Sequence, residues 1–429
     1  MRLGGRVQAA TEVLNDIDSR KRPVSDALKD WGLSHRFAGS GDRAAIGNLV
    51  YDVLRKKKSL SYFGDSDSND ARVFALLLQI WKFDPDELKS TFAEDKFAPD
   101  LPDDDVIQEI LSRDISQAQL DIQADIAEWC MASFEANFDE DWLAEAIGFS
   151  NRPPLDIRVN SLKSSRDKIL KQLAKTGAKP TKIARNGIRI FSDKPFARQP
   201  NVQAEEGFQK GRFEIQDEGS QIVADLIFAK PGESVLDFCA GAGGKTLALS
   251  AAMENKGQIH AYDVDKNRLA PIHERLRRAG TRNVQVHAPD SDLTFLEDKM
   301  DKVVVDAPCT GTGTWRRKPD AKWRLSSKNL EERLQQQEEV LSTAASYVRP
   351  GGHLIYITCS VLPEENENQV YGFCEDNPEF EIVSAGEVWE DLFGYDKPNP
   401  WSSDMKTVTL TPASTGTDGF FFCVMERAR

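Results

Sequence analysis

The chain has 429 residues, 40% hydrophobic and 29% charged, enough for two or three domains with sizeable cores. Its longest apolar stretch, around Val73 to Trp81, is too short to span a bilayer, and Met1 to Arg6 lacks the apolar core of a secretory signal. Six cysteines without a C-x-x-C pair and five scattered histidines argue against a disulfide framework or a metal site, and a reducing cytoplasm fits best.

The first segment, residues 1 to about 145, is expected to be helical. Apolar residues recur at helical spacing in Ala44 to Leu54 and in Ala71 to Trp81, with almost no strand signal. Acid concentrates in Phe83 to Asp105, which reads as a loop or solvated face. Base concentrates in Arg55 to Lys58, Arg275 to Arg282 and Arg316 to Lys318. The net charge of −14 by itself argues against a nucleic-acid partner, but local patches decide phosphate binding. A small α+β segment spans 146–211, with the change of pattern near Arg152-Pro153-Pro154. It holds a strand at Leu155–Asn160, a helix at Ser164–Gly177 and a strand at Ile188–Phe191.

Residues 212–429 alternate strand and helix, as in an open parallel sheet. Strands are expected at Ser234–Phe238, Gln258–Tyr262, Val284–His287, Lys302–Val305, Gly352–Thr358, Phe380–Val383 and Gly419–Met425. Helices are expected at Lys245–Met253, Lys266–Ala279, Lys328–Val348 and Glu364–Asp376.

The first of these strands runs into Cys239-Ala240-Gly241-Ala242-Gly243-Gly244-Lys245-Thr246. A phosphate-cradling loop, G-x-x-x-x-G-K-S/T, has glycine where Cys239 stands, and a dinucleotide fingerprint, G-x-G-x-x-G, has glycine where Thr246 stands. What remains is a strand, a glycine turn, a helix start and an acid, Asp263, after the next strand. That acid can accept both ribose hydroxyls of an adenosine. S-adenosylmethionine carries adenosine without phosphates and explains why both phosphate motifs are incomplete.

Two cysteines end later strands: Cys309 in Asp306-Ala307-Pro308-Cys309 and Cys359 in Thr358-Cys359-Ser360. In a parallel sheet they and Asp306 project from one edge, within reach of Lys245. Carbon 5 of a pyrimidine is too weakly nucleophilic to take a methyl group unaided. A thiolate adding to carbon 6, with an acid near ring nitrogen 3, activates it. Cys130, Cys239, Cys374 and Cys423 read as core cysteines.

Asp306 to Gly313 and Thr358-Cys359-Ser360 resemble motifs IV and VI of the Sun (RsmB-like) family of RNA cytosine-5 methyltransferases. Arg158 to Lys163 resembles the family's R-V-N-x-L-K segment, and Gln216 to Gln221 its Q-D-x-x-S-Q lead-in. Arg316 to Asp320 and Asp418 to Phe421 also match. The resemblance implies a Rossmann-like class I methyltransferase domain with a seven-stranded, mostly parallel sheet. It implies Cys359 as nucleophile, Cys309 assisting release, and Asp306 and Lys245 at the base. Cys239, Ala240, Gly241, Ala242, Gly243, Gly244, Lys245, Asp263, Arg268, Asp290 and Asp306 would hold S-adenosyl-L-methionine. Two departures stand out: Gly241-Ala242 replaces the family's Ala-Pro, and Ala288-Pro289-Asp290-Ser291-Asp292 leaves Asp290 and Asp292 both open as the adenine contact. The N-terminal helices resemble the NusB-type RNA-binding domain of bacterial ribosomal-RNA members.

The expected activity is therefore an RNA cytosine-5 methyltransferase, acting on unpaired or flipped cytosine, with ribosomal RNA as partner, no membrane or metal, and a monomeric state. A DNA enzyme would place its nucleophile in a Pro-Cys pair, as in Pro308-Cys309. A non-catalytic RNA-binding assembly factor would not need the full set of Asp306, Cys309, Cys359 and Lys245.

Overall fold

The computed structural model describes residues 1–191, 194–394, 396 and 398–429. Two compact units emerge. One comprises Met1–Arg152 with 194–199 and Trp315–Leu325; the other comprises Pro153–Phe191, Pro200–Thr314 and most of Ser326–Arg429.

The first unit is helical. Helices Leu3–Arg20, Ser40–Arg55, Lys57–Gly64 and Asn69–Ala75 bury one core that includes Leu14, Ile46, Leu49, Leu60 and Leu77. The acidic run is more ordered than its composition suggests. Asp84 Oδ1 accepts the amides of Asp86 and Glu87, both at 3.0 Å, and starts a helix over Pro85–Ala93 that buries Leu88 and Phe92. Its acids sit in the first turn, where they complement the unpaired amides, so charge here caps a helix instead of dissolving one.

The Trp315–Leu325 segment is locked into this unit. Trp315 stacks on Phe134, Arg55 Nε donates to the Arg316 carbonyl at 2.8 Å, and the Lys322 ammonium donates to Arg55 O and Ser150 Oγ, both at 3.0 Å. Burial pushes the Lys322 ammonium down to about 7. The basic runs are thus largely engaged inside the protein. Arg55 pairs with Asp52, Lys57 with Asp18 and Lys58 with Asp121. Arg316 is buried, while Lys318 remains exposed.

The second unit holds two sheets. The strands, in chain order, are β1 Leu155–Val159, β2 Lys179–Pro180, β3 Gly187–Ile190, β4 Phe213–Ile215, β5 Ser234–Asp237 and β6 Gln258–Ala261. Then come β7 Val284–Val286, β8 Met300–Asp306, β9 Val348–Thr358, β10 Phe380–Val383, β11 Thr407–Leu410 and β12 Phe420–Arg427. The smaller sheet has the order β2-β3-β1-β4 and is antiparallel throughout.

The larger has the order β10-β12-β9-β8-β5-β6-β7, with β11 beside β12. Pairings from β9 to β7 are parallel, and those of β12 are antiparallel. The expected strands are all present. β11 is an eighth, which the sequence reading missed. The order reverses between β5 and β8, where doubly wound sheets open a crevice beyond their strand ends.

One apolar layer packs helices Glu218–Leu226, Gly244–Ala252 and Ala385–Phe393 on the sheet. The other packs Ser327–Ala345 and Glu367–Asp376 on its opposite face. This explains the continuous apolar character of β8 and β9, which are covered on both sides. The expected helix Lys266–Ala279 is broken into Lys266–Leu269 and Ile272–Ala279, because Pro271 cannot donate in a helix interior. Among the described residues no helix is long and apolar enough to cross a membrane.

Within the helical unit, buried Asp52 accepts from Arg55, from Arg152 Nε at 2.9 and 3.0 Å, and from Trp81 Nε1 at 2.9 Å. Asp52→Ala leaves two guanidinium groups without their carboxylate and should cost about 3 kcal/mol. Urea unfolding reads this as a lower midpoint; an unchanged midpoint would show that the network contributes nothing.

Candidate active site

β8 and β9 run parallel, with Asp306 opposite Ile357, so the chain leaves both strands at one edge of the sheet. The loop after β8 carries Cys309 and the loop after β9 carries Cys359. Their sulfurs lie 3.4 Å apart, and no disulfide joins them. The hydrogen bond to Cys359 and burial hold the Cys309 thiol well above its ordinary pKa. Either sulfur of this pair can donate to the other.

Gly311 adopts φ +72°, a turn that favours glycine, and brings the loop back past Cys359. Gly313 N donates to Cys359 O at 3.0 Å, and Gly419 N to Gly313 O at 2.8 Å. A Cβ on Gly313 would come within 2.2 Å of the Gly419 carbonyl oxygen, so only glycine fits this approach.

Lys245 lies in the first turn of helix Gly244–Ala252, and its ammonium donates to Asp306 Oδ2 at 2.7 Å. Lys245 is buried, whereas the Asp306 side chain is 34% exposed. The four residues singled out for chemistry thus meet at one sheet edge. Glu365 and Gln337, which also meet the Cys309 loop, escaped the sequence reading. Thr310 N donates to Glu365 Oε1 at 2.7 Å, and Gln337 Nε2 donates to Pro308 O at 2.9 Å. Neither residue sits in a motif that its type would betray.

The glycine turn follows β5. Gly241 and Gly243 have φ +49° and +81°, and a Cβ on Gly243 would strike Ile272 at 2.6 Å. Gly241 N donates to Asp263 Oδ2 at 2.9 Å, and Asp265 N to Asp263 Oδ1 at 2.8 Å. Each carboxylate oxygen is fixed by one amide and keeps acceptor capacity for a hydroxyl. Arg268 lies 3.7 Å from Asp263 and is half exposed. Asp290 is exposed, while Asp292 accepts from Thr294 N at 3.0 Å and caps a turn. That leaves the Asp290 carboxylate as the one the local backbone does not take up.

Of the remaining cysteines, Cys130 and Cys423 are buried, and Cys239 and Cys374 pack against the core. The turn is held from behind by residues the sequence reading did not assign to it. Arg158 of β1 donates to Gly244 O at 2.9 Å and to Gln216 Oε1 at 2.6 Å, and Arg275 donates to Ala242 O at 2.7 Å. Burial pushes the Arg158 guanidinium down to about 10. The basic run at Arg275 had read as a possible phosphate patch, yet Arg275 and Arg278 both pair with Glu214 of β4.

Beneath the turn, Asp237 accepts from Thr246 Oγ1 at 2.6 Å, and its other oxygen has no partner among the described residues. Burial raises this carboxyl to about 7, with Asp306 and Asp263 adding repulsion. A raised carboxyl contributes stability that is complete below its unfolded pKa, about 4, and is lost as pH climbs through about 7. Asp237→Asn removes that titration. The melting-temperature difference between the variant and the native protein should move in the variant's favour from pH 4 to pH 8. A difference that stays flat would mean that Asp237 does not titrate in this window.

Strand order, the glycine turn and a match to a methyltransferase family place the chain among Rossmann-like, S-adenosyl-L-methionine-dependent methyltransferases. The donor set fits that cofactor: fixed amides, an acid with open lone pairs and no phosphate-cradling loop. Comparison with known proteins agrees. Residues 225–426 match the profile of the 16S rRNA methyltransferase RsmB/F family, and residues 126–197 match the RsmF/B-like ferredoxin-like domain.

Ribosomal RNA small subunit methyltransferase B of Cronobacter sakazakii is 32% identical over 298 residues, which is 68% of this chain and 64% of that protein. The Yersinia pseudotuberculosis serotype O:1b protein of the same name is 34% identical over 265 residues, 60% of this chain and 59% of its own. The chain therefore matches about 60% of the length of these relatives. A crystal structure of a methyltransferase homologue from Pyrococcus horikoshii superposes with a TM-score of 0.59 at 28% identity, covering 72% of this chain and 97% of that one. Residues 225–426 thus carry the methyltransferase domain of the RsmB/F family.

Proposed function

We propose that this protein methylates carbon 5 of an unpaired cytosine in ribosomal RNA. The observation that carries the reading is the pair of thiols 3.4 Å apart at the same sheet edge as the Lys245–Asp306 ion pair. The names of the curated relatives supply the RNA class.

Bound S-adenosylmethionine supplies an electrophilic methyl group. Asp263 takes the ribose hydroxyls, Asp290 the adenine, and Cys239 to Gly244 line the turn, with Arg268 steadying Asp263. On the base side, the Cys359 thiolate adds to carbon 6 and raises the electron density at carbon 5, which takes the methyl group. Asp306 accepts from the exocyclic amine of the cytosine, and the Lys245 ammonium, 2.7 Å from Asp306, donates to ring nitrogen 3, where negative charge develops. Loss of the carbon-5 proton to solvent re-forms the ring double bond and expels the Cys359 thiolate. The Cys309 thiol donates to that sulfur as it departs and stabilises it as a leaving group.

Asp263→Ala should weaken cofactor binding by about 1–3 kcal/mol, the cost of leaving buried hydroxyls without their acceptor. Calorimetry that returns the native affinity removes Asp263 from the site.

The two thiols are separated by what each variant traps. Cys359→Ala should abolish both methyl transfer and any covalent link to RNA. Cys309→Ala should still attach and methylate, but an RNA adduct should accumulate on a denaturing gel. An adduct that persists in Cys359→Ala and vanishes in Cys309→Ala would assign attack to the Pro308-Cys309 pair.

A further inference from the structure

Glu365 is completely buried in a short turn six residues beyond Cys359. Its Oε1 accepts from Thr310 N at 2.7 Å and from Gln337 Nε2 at 3.0 Å, and its Oε2 accepts from Thr310 Oγ1 at 2.5 Å. The same Gln337 amide donates to Pro308 O at 2.9 Å. The residues on both sides of Cys309 are therefore tied to one carboxylate. That carboxylate belongs to the loop that carries Cys359, and its own carbonyl accepts from Tyr356 OH at 2.8 Å, on β9. A buried carboxylate is expensive, and an apolar side chain would serve packing better. Here it does what an apolar group cannot: it fixes the loop after β8 to the loop after β9.

We infer that Glu365 is a positioning residue for product release, setting the Cys309 thiol against the Cys359 sulfur by holding Thr310 and, through Gln337, Pro308. The inference rests on the cytosine methylation proposed above. Glu365 touches neither base nor cofactor in that reading. Its effect therefore falls on the step in which Cys309 acts and not on attack by Cys359. Burial raises its carboxyl, but the hydrogen-bond geometry is indifferent to its charge. A glutamine can accept from Thr310 N and Gln337 through its oxygen and donate to Thr310 Oγ1 through its amide.

The test follows labelled small-subunit ribosomal RNA, transcribed in vitro, with S-adenosylmethionine over a time course on denaturing gels. Glu365→Ala should form the covalent adduct at the native rate and release it about tenfold to a hundredfold more slowly, the scale for a reacting group displaced by about 1 Å. Glu365→Gln should restore release. Native release by Glu365→Ala, or an equal loss of attachment and release, overturns the inference, as does failure of Glu365→Gln to rescue.

If Glu365→Ala does not fold, Thr310→Val removes only the hydroxyl contact. It should slow release alone, and native release by that variant is equally fatal. Cys309→Ala run alongside separates the two levels. No adduct there means the methylation reading itself has failed. An adduct there, with native release in Glu365→Ala, rejects only the role of Glu365.

Discussion

The parallel pairing of β8 with β9 is the constraint on which the site depends. Hydrogen bonding places Asp306 beside Ile357, and the strands end within two residues of each other. Whatever follows them must share one edge of the sheet, which is why thiols separated by 50 positions in sequence lie 3.4 Å apart. The pairing holds because Val303 to Val305 and Leu354 to Ile357 are buried on both faces, between two layers of helices. Slipping the register by one residue would turn those side chains over and separate the loops.

The edge is also shaped by buried polar groups packed around the two loops. Glu365 and Gln337 tie down the Cys309 loop, Thr358 Oγ1 donates to Asn366 Oδ1 at 2.6 Å, and Thr312 and Ser360 share a hydroxyl contact at 2.9 Å. On the cofactor side, Arg158 and Arg275 grip carbonyls of the glycine turn from the smaller sheet and from helix Ile272–Ala279. Buried polar groups of this kind are costly when partly satisfied and rigid when fully satisfied. They give two short loops a single geometry, with the two sulfurs 3.4 Å apart.

Electrostatics divides labour between similar residues. The contact with Cys359 and burial raise the Cys309 thiol well above its ordinary pKa. Asp237 and Asp263 end adjacent parallel strands. Asp237 lies under the turn and is pushed to about 7, while Asp263 is held in place by the amides of Gly241 and Asp265. The basic runs follow the same logic. Arg55, Arg275 and Arg278 face acids inside the protein, so a count of local charge overstates what remains for a phosphate.

The sequence by itself determined the strands of the larger sheet other than β11, the glycine turn, and the four residues Lys245, Asp306, Cys309 and Cys359. Each carries a local signal: a run of β-branched residues, a glycine cluster, or a cysteine where a strand stops. Pro271 breaks a helix and Asp84 starts one, and both were legible in principle from their own chemistry. Only the tertiary structure decided the rest. Glu365 and Gln337 lie 55 and 29 positions from the atoms they hold, so no local pattern distinguishes them from ordinary surface polar residues; Arg158 stands in a legible segment, but its grip on the Gly244 carbonyl, 86 positions away, does not show there. The same is true of Arg275 and of the Trp315–Leu325 segment within the helical unit. Contacts made by chain return depend on how sheets and helices pack, and a sequence read in order does not contain that distance.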